Sequence, residues 1–198
     1  MEDAAAKLAG LAADVESCTR CAELVPGRIR AVAGRGRPHA HVLVVAPHPS
    51  ELDEADEQAA AGASLLTEMA GLAPRLAQDA DGSVYVTALV KCVPRSGGRL
   101  RDPLGSERDA CFAYLSAEIS TITPHLLVLI GRETSAFVLQ RLFGRAVDSA
   151  LPPALQVLES PSFRVLALAS PSEMAAMPDR ERERYVEQVR ALAGRLGL

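Results

Sequence analysis

The chain has 198 residues, 48% hydrophobic and 23% charged, with a net charge of −4. That supplies a core for one domain over residues 1–198, and it excludes a disordered chain and a uniformly basic polyanion binder. No apolar run reaches membrane-span length, and the acidic start Met1-Glu2-Asp3 lacks the regions of a signal peptide, so a cytoplasmic protein with no membrane association is expected.

In chain order, Ala4 to Glu16 is rich in Ala and Leu and predicts a helix, followed by Cys18-Thr19-Arg20-Cys21. A Gly- and Arg-rich loop passes through Pro26, Gly27, Gly34 and Gly36. His41 to Val45 is a continuous apolar run, the pattern of a strand buried on both faces. It breaks at Ala46-Pro47-His48-Pro49-Ser50, and the acidic stretch Glu51 to Glu57 leads into an Ala-rich helix around Gly62 to Leu72. Asp79 to Gly82 predicts a turn. Val84 to Pro94 is filled with β-branched and aromatic residues, which predicts the central strand, ending on Cys92 and Pro94. Arg95, Arg99 and Arg101 follow. Ser106 is expected to cap a helix running through Cys111 to about Ile119. His125 to Ile130 predicts a strand ending at Gly131, Glu133 to Phe143 a helix, and Leu155 to Leu158 a short strand. Arg164 to Ala169 is the last strand, broken by Ser170-Pro171-Ser172, and Pro178 to Leu196 is a helix with a charged outer face.

Apolar strand, loop and helix thus recur four times. That predicts an α/β fold, a three-layer α/β/α sandwich around a central four-stranded parallel sheet. Ligands in such folds bind beyond the carboxyl ends of the strands. Those ends are Ala46 to Ser50, Ala88 to Cys92, Ile130-Gly131 and Ala169 to Ser172.

The four cysteines form one constellation: Cys18 and Cys21 as Cys-x-x-Cys, Cys92 at the end of the long strand, and Cys111 on the next helix. In a reducing compartment they point to a metal or a redox role over disulfides. Zinc ribbons pair two Cys-x-x-Cys knuckles, whereas thiolates on separate elements suit an iron–sulfur cubane. Spacing alone leaves both open, with the cluster slightly ahead. The arginines bunch at Arg28 to Arg37 and Arg95 to Arg101, and guanidinium groups suit bidentate phosphate binding.

Taken together, these residues resemble the iron–sulfur, thermostable type of uracil-DNA glycosylase, over nearly the whole chain from about Val15. Cys18-Thr19-Arg20-Cys21, Val42 to Val45, Val84 to Cys92, Arg101-Asp102-Pro103, Glu107 to Cys111, Leu127 to Gly131 and Ser170-Pro171-Ser172 come in that family's order. The resemblance implies a uracil-DNA glycosylase-like sandwich, DNA as partner, and a [4Fe-4S] cluster held by Cys18, Cys21, Cys92 and Cys111, with zinc as the alternative. It also implies a part in base-excision repair.

The pocket motifs depart from the family. Ala46-Pro47-His48-Pro49-Ser50 stands where the family has Gly-Glu-Ala-Pro-Gly; Gln58 to Gly62 lacks its base-stacking phenylalanine. Ala88 replaces its uracil-reading asparagine, and Ser170 replaces its leaving-group histidine. Alanine cannot read a base edge, and losing one donor to a leaving anion costs about 10²- to 10³-fold in rate. Ordinary uracil excision is therefore not expected. Replacement chemistry would fall to His48, able to act as a base near neutral pH, with Glu51 and Asp53 as water-positioning carboxylates. Ser50, Ala88, Lys91, Arg95, Arg99, Arg101, Ser170 and Ser172 are the candidate DNA and substrate contacts. Three functions fit: a glycosylase (hydrolase) for another lesion, a non-catalytic module binding single-stranded or lesion-containing DNA, and an interaction partner of a repair protein.

Overall fold

The structure, a computed structural model, describes residues 2–72, 74, 82–144, 157–159 and 162–196. Helix α1 (Glu2–Glu16) is followed by a 3-10 turn at Val25–Gly27 and strand β1 (Val42–Ala46). Next come α2 (Glu51–Ala55), α3 (Ala63–Glu68) and β2 (Val84–Ala88). A small hairpin, β3 (Arg95–Ser96) and β4 (Arg99–Leu100), precedes α4 (Gly105–Ile122). Then follow β5 (Leu126–Ile130), α5 (Arg132–Phe143), β6 (Val157–Glu159) and β7 (Arg164–Leu168). Helices α6 (Pro171–Ala175) and α7 (Asp179–Leu196) close the described chain.

The sheet runs β2-β1-β5-β7-β6. Its first four strands are parallel, as the sequence pattern predicts, and β6 adds an antiparallel edge. Continuous apolar runs work here because both faces are covered. Leu43, Val45, Leu127 and Leu129 face α1, α4 and α5 through Leu8, Val15, Leu115, Ile119 and Val138. Val42, Val44, Val128 and Ile130 face α3 and α7 through Leu66, Tyr185, Val189 and Leu192. Each fully buried aliphatic side chain contributes about 1.5–3 kcal/mol, so the two apolar layers dominate cohesion. Among the described residues no helix is long and apolar enough to cross a membrane.

Four expectations need correction. The strand predicted over Val84 to Pro94 leaves the sheet after Ala88. The next amides turn to the loop after β1 instead: Leu89 donates to the Ala46 carbonyl at 2.8 Å and Val90 to that of Pro47 at 3.1 Å. This strand, expected at the centre, is an edge. Its outer side is covered by the Gly34–Gly36 segment, where Arg35 and Val86 exchange backbone bonds of 2.9 and 2.8 Å. Glycine is required at residue 34, where a Cβ would lie 2.6 Å from Tyr85 and 2.7 Å from both Glu118 and Thr87. The helix around Gly62 to Leu72 shortens to Ala63–Glu68. Finally, Leu104, not Ser106, is the N-cap of α4, and the Glu107 carboxylate accepts the Leu104 amide at 2.8 Å. The predicted turn at Asp79 to Gly82, Gly82 apart, and Leu155 of the short strand lie outside the described residues.

Candidate functional site

The loops after β1, β5 and β7 enclose a cleft of about 540 Å³. Pro47 and His48 line it from the first loop, Gly131 and Thr134 from the start of α5, and Ser170 and Ser172 from the start of α6. The volume falls in the ordinary range of small-molecule sites.

His48 is half-buried, and its Nδ1 lies 2.7 Å from the Pro49 carbonyl oxygen. A carbonyl only accepts, so Nδ1 is the donor in this contact. Ser50 caps α2, its Oγ accepting the Asp53 amide at 3.1 Å and sitting 2.6 Å from Ser64 Oγ. Asp53 is buried and saturated. Its carboxylate accepts the amides of Ser50, Gly62 and Ser64 at 2.9, 3.1 and 2.9 Å, and the Ser64 hydroxyl at 2.9 Å. It ties the first loop to α3 and has no lone pair to spare for water. Glu51, expected beside His48, turns away to Arg95, 3.1 Å from its guanidinium, and does not line the cleft.

On the other wall, Ser170 caps α6, accepting the Glu173 amide at 3.3 Å, and its Oγ is 3.0 Å from that of Ser172. Glu173 accepts the amides of Arg132 at 2.9 Å and Ser170 at 2.8 Å, joining the starts of α5 and α6. The Ser-x-x-Glu and Ser-x-x-Asp spacings are capping-box signals legible in the sequence. Arg108 also lines the cleft; it holds Glu133 at 2.8 Å, while its buried Nε has no hydrogen-bond partner among the described residues.

Ala88 does not face the cleft. It is fully buried among Val32, Ala46 and Ala61. The chain passes so close there that a Cβ on Gly62 would lie 2.7 Å from that of Ala46. Lys91, expected to meet DNA, is 1% exposed. Its Nζ lies 2.7 Å from Glu118 Oε2 and donates to the Ala88 carbonyl at 2.8 Å and to Thr87. Burial first, then Glu118, pushes the Tyr85 phenol in the same pocket far up. Arg95 and Arg101 are likewise engaged within the fold. Arg95 donates to the buried Glu54 at 2.8 Å, and Arg101 forks onto Glu107 with one bond of 2.8 Å. Hydrogen bonding to Arg101 holds the Glu107 carboxyl below its ordinary range. Arg99 is exposed.

The four cysteines are free thiols. Cys92 and Cys111 are buried, and Cys18 and Cys21 pack half-buried against the same core. Arg28 donates through Nη1 to Cys92 Sγ at 3.3 Å and through Nη2 to the Cys18 carbonyl; the Lys91 amide donates to Cys111 Sγ at 3.3 Å. Burial pushes the Cys21 and Cys92 thiols up, and Cys111 to about 11. Each also feels its neighbours: Cys21 feels Cys18, Cys92 feels Cys21 and Cys18, and Cys111 feels Cys92 and Cys21. The sequence constellation is therefore a spatial neighbourhood. Among the described residues, however, no three His, Cys, Asp or Glu side chains are arranged to hold a metal ion.

A sandwich with a parallel core and a cleft at its carboxyl edge defines an α/β protein of the doubly wound class. The model of the uracil DNA glycosylase superfamily matches residues 33–193, and the chain belongs to that superfamily. It is 33% identical over 131 residues to a type-4 uracil-DNA glycosylase of Sulfurisphaera tokodaii, covering 65% of this chain and 56% of the relative. The type-4 enzymes of Saccharolobus solfataricus (29% over 134 residues) and Pyrobaculum aerophilum (32% over 137) align over 67% and 68% of this chain. The chain spans 59% and 65% of those two proteins, so it covers less than two thirds of the length of each relative.

Proposed function

We propose that this protein binds damaged DNA in the manner of base-excision repair and takes a base other than uracil into the cleft. The carrying observation is the cleft of about 540 Å³ at the strand ends of a superfamily sandwich, lined by His48, whose Nε2 has no hydrogen-bond partner among the described residues. An extruded base enters between the His48 loop and the Ser170–Ser172 loop. His48 Nε2 accepts a proton from the attacking water as the N-glycosidic bond breaks. Uracil is not favoured: Ala88 is sealed behind the wall, and Ser170 is occupied as a helix cap. In the reduced cytoplasm, Cys18, Cys21, Cys92 and Cys111 would hold a [4Fe-4S] cluster. The donor set supports this, with four unpaired thiols and two N–H groups aimed at sulfur. A single zinc ion, which takes four thiolates about 2.3 Å from one point, is the alternative occupant of the same four cysteines. When bound, the cluster crosslinks the end of α1, the segment after β2 and α4.

A second reading has its own observation. With Glu51 paired to Arg95 and Asp53 saturated, neither carboxylate supports His48. On this reading the protein recognises the lesion without cutting it and serves a repair partner. Duplexes and single strands carrying uracil, hypoxanthine, xanthine or a stable abasic analogue separate the readings by binding anisotropy and alkaline cleavage. Base release from a non-uracil substrate, abolished in His48→Ala, supports the first. Selective binding without release supports the second. Absence of lesion-selective binding overturns both.

A further inference from the structure

Arg108 stands in the first turn of α4, on the wall of the cleft, with its side chain 18% exposed. Its guanidinium carbon lies 6.0 Å from the centre of the Phe137 ring on α5, a cation–π distance. Its Nη1 donates to Glu133 Oε2, also on α5, at 2.8 Å. Glu133 is 68% exposed, so this pair orients the guanidinium without a buried counter-charge to hold it.

Nη1 is thereby occupied. Among the described residues neither Nε nor Nη2 has an acceptor, and Nε is buried. These two atoms form one edge of the planar fork, with two parallel N–H groups. A buried donor without an acceptor weakens a fold, so the free edge makes sense if its acceptors come from outside the chain. The cleft disfavours a phosphate in that place. Asp53, Glu68, Asp102, Glu133 and Glu173 line it against Arg108 and Arg132, and an anion would meet more negative charge than positive. A neutral pair of adjacent acceptors suits the fork better. Among bases, O6 and N7 of a 6-oxopurine form such a pair, and arginine takes it through two bonds. Adenine carries an amino donor in place of O6. Uracil separates its two carbonyl oxygens by an N–H, so the fork meets only one of them.

We propose that Arg108 reads the extruded base, and that the substrate class is a 6-oxopurine formed by deamination, hypoxanthine or xanthine. Guanine shows the same edge but is held in a full Watson–Crick pair, whereas hypoxanthine opposite thymine is a mismatch and costs less to extrude. The inference rests on the lesion reading above and adds the residue, and the edge of the base, by which the substrate is chosen.

The test removes an acceptor from the base and the fork from the protein. Anisotropy measures binding of the full chain, with its thiol centre as isolated, to an undamaged duplex and to duplexes carrying hypoxanthine or 7-deazahypoxanthine opposite thymine, or uracil opposite guanine. Replacing N7 by carbon leaves the Watson–Crick edge untouched, so the cost of extrusion is nearly the same. Wild type is expected to bind the hypoxanthine duplex about tenfold more tightly than the 7-deaza duplex, the discrimination of one bidentate pair. Arg108→Gln is expected to bind hypoxanthine about tenfold more weakly than wild type does, to bind the two purine duplexes alike, and to bind the uracil duplex nearly as wild type does. Thermal melting checks the fold of the variant, and the wild-type comparison of the two purines stands without it. If wild type prefers hypoxanthine to undamaged DNA but binds the 7-deaza duplex equally well, the Arg108 inference fails while the lesion reading stands. The same holds if Arg108→Gln weakens all four duplexes alike, as a lost phosphate contact would. If wild type prefers no lesion duplex to the undamaged one, both fail.

Discussion

Replacing Lys91 tests whether this cation serves the fold or the DNA. Its Nζ is buried and bonded to Glu118, Thr87 and the Ala88 carbonyl. Glu118, 2% exposed, also accepts from the Thr87 hydroxyl at 3.0 Å. Lys91→Met keeps the volume of the stem but leaves a buried carboxylate without its counter-charge, which costs about 3–5 kcal/mol. For a chain of this size each kcal/mol moves the midpoint by about 2–4 °C, so the expected fall in Tm is roughly 6–20 °C. The double variant Lys91→Met/Glu118→Gln removes both charges, yet its amide oxygen still accepts from Thr87. It should recover most of the loss, to within about 2 kcal/mol of wild type, the scale of one imperfect buried hydrogen bond. Urea unfolding at constant pH, with equal slopes for the three proteins, is the assay. The reasoning fails if Lys91→Met unfolds within about 1 kcal/mol of wild type, or if adding Glu118→Gln deepens the loss. Weakened DNA binding by a fully stable Lys91→Met protein would restore the role the sequence suggested.

Three further outcomes follow from other contacts. Arg28→Ala removes the donor to Cys92 Sγ and the clamp on the Cys18 carbonyl; anaerobically purified variant should lose visible absorbance and bound iron relative to wild type, and Arg28→Lys should restore part of it. Ala88→Asn places an amide in a fully buried cluster of Val32, Ala46 and Ala61; it should cost about 1–3 kcal/mol by urea unfolding and yield no release of uracil from DNA. Glu107 is held low by Arg101, so its pair contributes stability above the ordinary carboxyl value of 4.5, and that contribution is lost as pH falls through the lower folded value. The urea midpoint of wild type should therefore drop more steeply below about pH 4.5 than that of Glu107→Gln.

The sheet is legible in the sequence because its strands are buried on both faces and carry unbroken apolar runs; Leu126–Ile130 needs no context to be read. The extent of β2 is not, since Val84 to Val93 remains apolar where the chain exits the sheet. Leu89 and Val90 are buried by the loop after β1 and not by strand neighbours. Cysteine spacing suggests a shared centre, and all four cysteines pack at one core, but among the described residues no three His, Cys, Asp or Glu side chains are arranged to hold a metal ion. What composition cannot reveal is which charges are already paired. Arg95, Arg99 and Arg101 look equivalent in the sequence. Glu54 and Glu107, distant in the chain from one or both, claim the first and last and leave the middle one exposed. Glu51 looks like a partner for His48 until its contact with Arg95 is seen.

The same pairing changes what the chain's electrostatics mean. Arg28, Arg30, Lys91, Arg95 and Arg101 all donate inward, to a cysteine, to backbone carbonyls or to buried carboxylates. Their positive charge is neutralised or locked into the fold, and the whole chain stays at −4. A protein built this way cannot rely on diffuse phosphate attraction, which scales with the number of free cations that displace counterions. On the proposed DNA reading, affinity would come from a few contacts around the cleft and from what an unstacked lesion itself offers. The consequence is measurable: plotted against log salt, binding to lesion duplex should have a slope equivalent to only about one to three phosphates. A slope equivalent to six or more would mean that guanidinium groups now seen holding the fold together are released when DNA binds.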